Sequence, residues 1–271
     1  STIQSFMHDQ VAAWNRGDKK AFFDAYRAVS PQGLQIEVVF GIAPAPVRED
    51  GEPRPLNMGS AFQRLGQTQR IKSGPSRIKR FGHLALNVRD VPGILAWYQS
   101  RFGILASDRI NLAPGMPVAI FTRCDRGDEP ADHHSILFSS DMASGGVCGL
   151  NHLSWEVCDI DDLHVGSDHL AAKGRAHEWG IGRHLLGSQV FDYWRDPWGH
   201  IHEHWTDGDL FTAADPPQKQ PMSALLAVQW GSPHPMFAGR MSPPASLVSF
   251  VIALQLRIKR LFSRKPKGTT A

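Results

Sequence analysis

Histidine is the residue of this sequence with the clearest chemical potential. There are thirteen in 271 residues, and many lie between positions 133 and 204. Imidazole is the commonest metal ligand in proteins and the usual proton carrier near neutral pH. Two similar segments, Gly82-His83-Leu84 and Asn151-His152-Leu153, each carry one histidine, and Glu203 lies further along the chain. Two imidazoles and one carboxylate on one side of a metal leave other positions open, which suits non-haem Fe(II).

The elements that position these three residues form an internal repeat. Residues 81–88 and 150–157 alternate as half-buried strands do, and each stretch is followed by a helical pattern, at 91–102 and 160–173. Strand-like segments come next in both units, and Glu203 lies on the last of them in the second unit. Since strands hold side chains rigidly, the sequence predicts that His83, His152 and Glu203 form a fixed site. Alternation turns His202 and His204 away from Glu203, and we expect these two and His200 not to be ligands.

The segment from residue 182 to Glu203 resembles the signature of the type I extradiol ring-cleavage dioxygenases of the vicinal oxygen chelate superfamily. That signature has a histidine, a tyrosine nine positions later, an Asp/Thr-Pro-x-Gly turn and a ligand glutamate, which match His184, Tyr193, residues 196–199 and Glu203. Residues 80–83 and 149–152 match the segments that carry the two ligand histidines, and residues 132–137 match a His-His strand. The resemblance extends from about residue 31 to residue 209.

The resemblance implies an α+β fold of paired βαβββ modules and a metal site at His83, His152 and Glu203 for Fe(II), or alternatively Mn(II). It implies an oxidoreductase that cleaves the ring of a catechol-type substrate and incorporates both atoms of O2. His134 would take or return a proton, and His184 and Tyr193 would hydrogen-bond substrate oxygens or intermediates. Because strand neighbours face opposite ways, we expect His134 rather than its neighbour in the cavity.

Three further expectations concern the surroundings of the site. His133 is expected either at the surface or behind the site. Gly187 occupies a position where we expect a polar residue near the oxygen pocket. A roomy aromatic pocket favours a substituted or bicyclic catechol, and the aromatic residues expected in it are Phe121, Phe138, Trp155, Trp179 and Phe191.

Two other functions stay open. The same modules make metal-dependent isomerases and lyases such as glyoxalases, which commonly use a second acidic ligand or base. The last strand of the first unit offers His134 instead of a glutamate, which argues against that function. The other alternative is a non-catalytic protein that binds aromatic molecules.

The domain organisation is predicted from composition and from the repeat, and the resemblance implies that the N-terminal half is incomplete. Residues 1–28 read as N-terminal helices, 29–80 as a remnant of an incomplete N-terminal half with a crossover segment, 81–145 and 146–210 as the two metal-binding modules, and 211–271 as a C-terminal extension. A missing half would leave sheet edges and apolar surface to cover. We therefore expect a homo-oligomer.

The C-terminal extension contains a basic amphipathic helix candidate at residues 246–267. The whole chain has 29 Lys and Arg against 26 Asp and Glu, and six of the basic residues fall in the last fifteen positions. The rest of the chain is slightly acidic, which argues against a nucleic-acid partner. The helix is expected to pack on another subunit or, alternatively, to contact a membrane surface, and the third alternative is a frayed tail.

The three cysteines, Cys124, Cys148 and Cys158, form no disulfide framework or zinc-ribbon spacing. The sequence shows no secretory signal pattern, and its longest apolar stretch is too short to span a bilayer. These features predict a cytoplasmic protein. Its expected partners are a small aromatic diol and O2.

Overall fold

The computed structural model describes residues 27–37 and 54–237, together with Ala12 and Arg16. The chain divides into two compact units, Ser1–Ser232 and Pro233–Ala271. The described part of the second unit, residues 233–237, contains the 3₁₀ helix Pro235–Phe237. Apart from Ala12 and Arg16, the predicted N-terminal helices lie outside the described residues, and so does the predicted basic helix at residues 246–267.

Two pairs of short antiparallel strands come before the repeat. Ile36 lies on the second strand of the first pair, and Leu34 lies just before that strand. Both pack against the apolar core of the first module. The strands are β1 (Arg27–Val29) with β2 (Gln35–Glu37), and β3 (Asn57–Met58) with β4 (Ala61–Phe62).

The first module begins with a long strand and a capped helix. Asp90 accepts a hydrogen bond from the Gly93 N–H over 3.0 Å, and Gly103 ends the helix in the left-handed conformation. Both residue types favour these boundaries. In chain order the elements are β5 (Ile78–Val88), α1 (Val91–Phe102), β6 (Leu105–Ala113), β7 (Met116–Arg123), β8 (Ala131–Asp132) and β9 (Ile136–Ser140).

The second module repeats this order. Asp159 caps its helix by accepting a hydrogen bond from the Asp162 N–H over 2.7 Å, and Gly174 follows the helix with φ +66°. Both predicted helices are confirmed to within one residue at each end. The elements are β10 (Gly149–Val157), α2 (Ile160–Ala172), β11 (Ala176–His184), β12 (Val190–Arg195) and β13 (Ile201–Thr206).

The two modules share one ten-stranded sheet. The last part of the described chain adds β14 (Leu210–Phe211), which pairs with β8, and then β15 (Gln218–Pro221) and β16 (Val228–Gly231). The strand order is β15-β6-β7-β9-β5-β10-β13-β12-β11-β16. β5 and β10 pair antiparallel at the centre, and in each module the first strand runs parallel to the last. This arrangement confirms the predicted paired βαβββ modules.

A short stretch of chain connects the two ends of this sheet. β15 pairs with β6 and β16 pairs with β11, yet only residues 222–227 separate the two strands. Fully extended, that connection spans at most about 25 Å. Ten flat strands would place β15 and β16 about 43 Å apart. The sheet must therefore curve into a cup, and residues 218–231 are called the closing segment below.

Strand alternation assigns the two faces of the cup. Leu84, Leu86 and Val88 of β5 pack with α1, so the intervening residues of β5, including His83, face the concave side. On that side Leu225 of the closing segment packs with Phe121 and its apolar neighbours. Within the described residues, no helix is long and apolar enough to cross a membrane.

Candidate metal centre

The two central strands bring the predicted ligands together. In the register of β5 with β10, His83 lies opposite Ser154 and Ala85 lies opposite His152, so the two histidines are related by the local two-fold of the repeat. Ser154 is in turn opposite Glu203 on β13. Three neighbouring strands therefore direct two imidazoles and one carboxylate to the same part of the concave face.

The distances within this group are those of atoms that converge on one point. His83 Nε2 lies 3.2 Å from His152 Nε2 and 2.9 Å from Glu203 Oε2. His152 Nε2 is 3.8 Å from the same carboxylate oxygen. All three residues are buried, and one ligand atom from each lies within 4.8 Å of the others. The group has the donor set and the spacing to hold a metal ion.

The protonation states also suit a divalent cation. Burial lowers the pKa of His152 to about 3, so the imidazole is neutral. Burial alone would raise the pKa of Glu203, but His83 and the hydrogen bond with His184 outweigh it and hold that pKa well below its ordinary value. Neutral imidazoles and an ionised carboxylate are the forms that bind metals. The residues therefore fit the predicted Fe(II) or Mn(II).

Two of the three ligands are oriented by neighbours that the sequence did not reveal. His152 Nδ1 lies 2.9 Å from Asn151 Oδ1, and Asn151 donates to Asn87 Oδ1 over 3.0 Å. Because an amide oxygen only accepts, His152 carries its proton on Nδ1 and presents a bare Nε2. Ser154 Oγ donates to Glu203 Oε2 over 2.6 Å. The position of Ser154, two residues after a ligand on the same strand face, was the available signal.

His184 and Tyr193 lie beside the carboxylate. His184 Nε2 is 3.1 Å from the Tyr193 hydroxyl and 3.3 Å from Glu203 Oε1. The His184 ring stacks on Phe191, with centroids 3.8 Å apart. Burial, and then the charge of Glu203, raise the pKa of Tyr193 well above its ordinary value. The tyrosine is therefore a neutral hydrogen-bond donor at this site.

His134 lies on the other side of the three ligands. Its ring centroid is 4.0 Å from that of His83, and the ring is buried. Burial, followed by the nearness of His83, lowers the pKa of His134 well below its ordinary value. A neutral imidazole beside the metal centre can accept a proton.

The reason given for preferring His134 over His133 was wrong. Residues 133–135 lie between β8 and β9, outside a regular strand, so alternation does not sort them. Both rings are buried, and His133 Nδ1 lies 3.0 Å from His134 Nδ1. Of the two locations expected for His133, it occupies the one behind the site.

Gly187 also differs from expectation. A Cβ at this position would come within 2.9 Å of His133 Nδ1, and the residue has φ +78°. Glycine is therefore needed here for both space and backbone conformation.

The predicted aromatic pocket is smaller than expected. Phe121 packs against His134, and Trp179 and Phe191 pack around His184. Phe138 instead packs with the helix α1 core, and Trp155 donates to His202 on the opposite face of β13. The other two histidines of this region also bond away from the three ligands: His204 contacts Ser76 and His200 contacts Asp196.

Comparison with known proteins agrees with this fold. Residues 80–203 match the family model of the Glyoxalase/Bleomycin resistance protein/Dioxygenase superfamily. Metapyrocatechase 2 from Cupriavidus necator is 30% identical over 225 residues, which cover 80% of this chain and 61% of that protein. The chain thus spans less than two thirds of the length of this relative.

Solved structures superpose on part of the chain. The Mn(II)-bound glyoxalase from Novosphingobium aromaticivorans superposes with a TM-score of 0.50 at 22% identity, over 62% of this chain and 51% of that one. The 2,3-dioxygenase LapB from Pseudomonas sp. KL28 gives a TM-score of 0.48 at 17% identity, over 54% and 48% of the two chains. Residues 80–203 are thus similar to the superfamily that contains glyoxalases and dioxygenases. The resemblance predicted from its motifs is confirmed, with a metapyrocatechase among its relatives.

Proposed function

We propose that this chain is an extradiol dioxygenase that uses Fe(II), or alternatively Mn(II), to cleave the ring of a catechol-type substrate with O2. The similarity to a metapyrocatechase supports the class of reaction. The observation that carries the proposal is the asymmetry of the ligand set within a symmetric fold.

That asymmetry is visible in the strand register. Glu203 lies opposite Ser154, the second residue after His152. The equivalent residue of the first module, two after His83, is Ala85, and its partner on β9 is Leu137. The position related to Glu203 by the repeat therefore holds an aliphatic side chain. A glyoxalase-like reaction that needs a second acidic group does not find one there, whereas three ligands leave open positions for two substrates.

The residues around the ligands have complementary tasks in this reaction. A bound metal would supply a binding point for the catechol oxygens and lower the pKa of the hydroxyls. His134, neutral and next to His83, takes a hydroxyl proton on a ring nitrogen and later returns it. Tyr193 keeps its proton and donates a hydrogen bond to a substrate oxygen, with His184 as its neighbour.

The apolar walls favour an aromatic substrate. Phe121, Leu186 and Leu225 belong to one cluster beside His133 and His134. Trp179 and Phe191 form another beside His184. Together they exclude water from the reacting ring and offer it flat apolar contacts. We infer a substituted or bicyclic catechol as the preferred substrate.

The test is turnover after anaerobic loading with Fe(II). Catechol, 3-methylcatechol, 2,3-dihydroxybiphenyl and 1,2-dihydroxynaphthalene are each supplied with O2, and the yellow ring-fission product and oxygen consumption are measured. We expect equal amounts of product and consumed O2, with faster turnover of the larger diols. The His134→Phe variant should keep its iron and lose roughly 10²–10⁴-fold in turnover. His202→Phe, on the opposite face of β13, is the matched control.

Two results would contradict the proposal. Isomerisation of a glutathione hemithioacetal without ring cleavage would favour the glyoxalase-like alternative. Tight binding of diols by the iron-loaded protein without any oxygen consumption would favour a non-catalytic aromatic-binding protein.

A further inference from the structure

A buried chain of hydrogen bonds leads from the closing segment to the metal centre. Gln220 Nε2 donates to Asp108 Oδ1 over 3.0 Å. The other carboxylate oxygen, Asp108 Oδ2, lies 2.7 Å from His133 Nε2. His133 Nδ1 lies 3.0 Å from His134 Nδ1, and the His134 ring rests against His83. Asp108, His133 and His134 are all buried, and these are the side-chain hydrogen bonds that they form within the described part of the chain.

The direction of the other hydrogen bonds follows from the Asp108 carboxylate. An ionised carboxylate only accepts, so His133 Nε2 carries the proton that faces Asp108. A neutral imidazole has a single N–H, and therefore His133 Nδ1 is an acceptor. His134 Nδ1 must then donate to it. The remaining nitrogen of His134, Nε2, carries no proton.

The packing around His133 keeps this chain in place. Its ring lies between Phe121 and Phe211, with centroid distances of 5.2 Å and 5.5 Å. Its backbone N–H donates to Asp209 O over 2.9 Å. The glycine at position 187 provides the room for its Nδ1, because a Cβ there would lie 2.9 Å away. The ring can neither swing out nor flip without disturbing its neighbours.

We propose that Asp108, acting through His133, fixes the tautomer of His134 with the proton on Nδ1 and a bare Nε2. This inference rests on the proposed function, in which His134 is the proton acceptor, and it makes Asp108 and His133 positioning residues. A general base must offer a nitrogen without a proton in the resting state. In Ser-His-Asp triads a buried carboxylate selects the working tautomer of a histidine directly. Here a second imidazole transmits the selection.

The Asp108→Asn variant should reverse the direction of the hydrogen bonds from residue 108 to His134, with almost no change in the shape of the side chain. Gln220 still donates to the side-chain oxygen of residue 108, which turns the new NH2 group towards His133 Nε2. That nitrogen then becomes an acceptor, His133 Nδ1 becomes a donor, and His134 Nδ1 must accept. The proton of His134 moves to Nε2, where it blocks the base.

Nitrogen NMR of the histidine rings reads the tautomer without any turnover. The full-length chain is labelled with ¹⁵N and loaded with Zn(II), which is diamagnetic and binds the same kinds of ligand. The signals of His134 are identified by their loss in His134→Phe. We expect protonated Nδ1 and bare Nε2 in the unmodified chain, and the opposite pattern in Asp108→Asn. Asp192→Asn is the control. Asp192 is also buried and accepts a hydrogen bond of 2.7 Å from His177 Nε2, but it takes no part in the hydrogen bonds between Gln220 and His134.

Kinetics of the iron-loaded variants provide the second measurement. Asp108→Asn should lower kcat by roughly 10²–10⁴-fold, the usual contribution of general acid–base catalysis, with unchanged metal content and little change in KM. If that variant does not fold, His133→Asn and His133→Phe replace it. The amide oxygen introduced by His133→Asn can still accept from His134 Nδ1, so this variant should retain more kcat and the same His134 tautomer, whereas His133→Phe should lose both.

The outcomes separate this inference from the proposed function. A proton on His134 Nε2 in the unmodified chain, two protons on His133, or an unchanged His134 tautomer in folded Asp108→Asn would each overturn the inference. The expected NMR patterns without ring cleavage of any diol would support the tautomer assignment and refute the dioxygenase proposal.

Discussion

At the metal centre, the ligand atoms of His152 and Glu203 lie within hydrogen-bonding distance of that of His83. His83 Nε2 has both His152 Nε2 and Glu203 Oε2 within 3.2 Å, and His83 Nδ1 is buried without a hydrogen-bond partner among the described residues. Buried polar atoms without compensation cost stability. A divalent ion bound by the three ligand atoms binds only the folded chain, so metal binding and stability should be coupled.

The first prediction grades the loss of metal affinity along this group. His83→Ala, His152→Ala and Glu203→Ala each remove one of three ligands and should weaken binding by more than the roughly 10–100-fold typical of losing an outer partner. Asn151→Ala, which removes only the acceptor for His152 Nδ1, should fall within that smaller range. Metal content after dialysis and competition with a chelator measure both. Unchanged iron in all three ligand variants would refute the site.

The second prediction concerns the pH dependence of the metal-free protein. Burial holds the pKa of His152 at about 3 in the folded chain, against 6.5 for an exposed histidine, and lowers that of His134 as well. Between these values the unfolded chain binds protons that the folded chain does not. The free energy of unfolding should therefore fall as the pH falls below 6.5, by up to about 1.4 kcal/mol per pH unit for each histidine.

Denaturant titrations of the metal-free chain at pH 7.5, 6.5, 5.5 and 4.5 measure this slope. The His152→Gln variant should have a shallower slope over the same range, because it lacks one of the two groups. Parallel curves for the two proteins would show that His152 is not held neutral by the fold.

The ligand histidines were predictable from the sequence because the repeat carries one in each unit, and Glu203 was predictable from its signature. His83 and His152 occupy equivalent strand positions, and the spacing from His184 to Glu203 matches a known signature. Asp108 was not predictable, since it lies on β6, 25 residues before His133, and the two meet only in the folded module. The sequence left two locations open for His133, at the surface or behind the site, because the chain leaves the strand pattern between β8 and β9.

At the scale of elements, the helices and strands with a regular apolar pattern were predictable from the sequence, and the strands without one were not. The helices α1 and α2 and the strands that carry the ligands show clear apolar patterns. The closing segment contains two four-residue strands, Gln218–Pro221 and Val228–Gly231, which are largely polar or exposed. Their pairing is decided by the free edges of β6 and β11, which exist only once the modules have folded.

The third prediction tests how closely the closing segment fits. Gly231 has φ +105°, and a Cβ on it would lie 2.4 Å from the Cα of Gly182 on β11. Gly231→Ala should therefore push β16 away from the strand that ends at His184. We expect about 1–2 kcal/mol lost to backbone strain and about 1–3 kcal/mol more to the overlap, measured by denaturant unfolding.

Gly199→Ala is the matched control for this substitution. Gly199 has φ +91°, but no described atom lies within 4 Å of the position that a Cβ would take, so alanine there meets the strain without the overlap. Both variants should keep their metal, and only Gly231→Ala should lose turnover. Equal loss of stability in the two variants would mean that β16 adapts freely.

At the scale of the whole molecule, the C-terminal extension remains the least explained part. The basic amphipathic helix predicted at residues 246–267 lies outside the described residues, and homo-oligomerisation and membrane contact stay predictions. The described modules already contain all three metal ligands and the residues around them. We therefore expect residues 245–271 to act on association and not on catalysis.

The fourth prediction follows from that expectation. Deletion of residues 245–271 should leave metal content and ring cleavage unchanged but alter the association state or the partitioning onto membranes. Sedimentation with and without anionic vesicles measures both properties. Replacement of the six terminal lysines and arginines by glutamine is the control, because it should abolish vesicle binding while leaving an apolar contact between subunits. Loss of activity on deletion, with unchanged sedimentation, would instead make the extension part of the active-site cover.

The composition of β15 has a consequence for the behaviour of the protein at high concentration. An open sheet margin can act as a template on which a second molecule adds a strand, and repeated addition produces fibrils. β15 has four residues, one of which is Lys219, and its last residue, Pro221, has no N–H to offer. Charge and a missing donor discourage such growth at this end of the sheet. β15, which helps to shape the cup, therefore also lowers the tendency of the protein to aggregate.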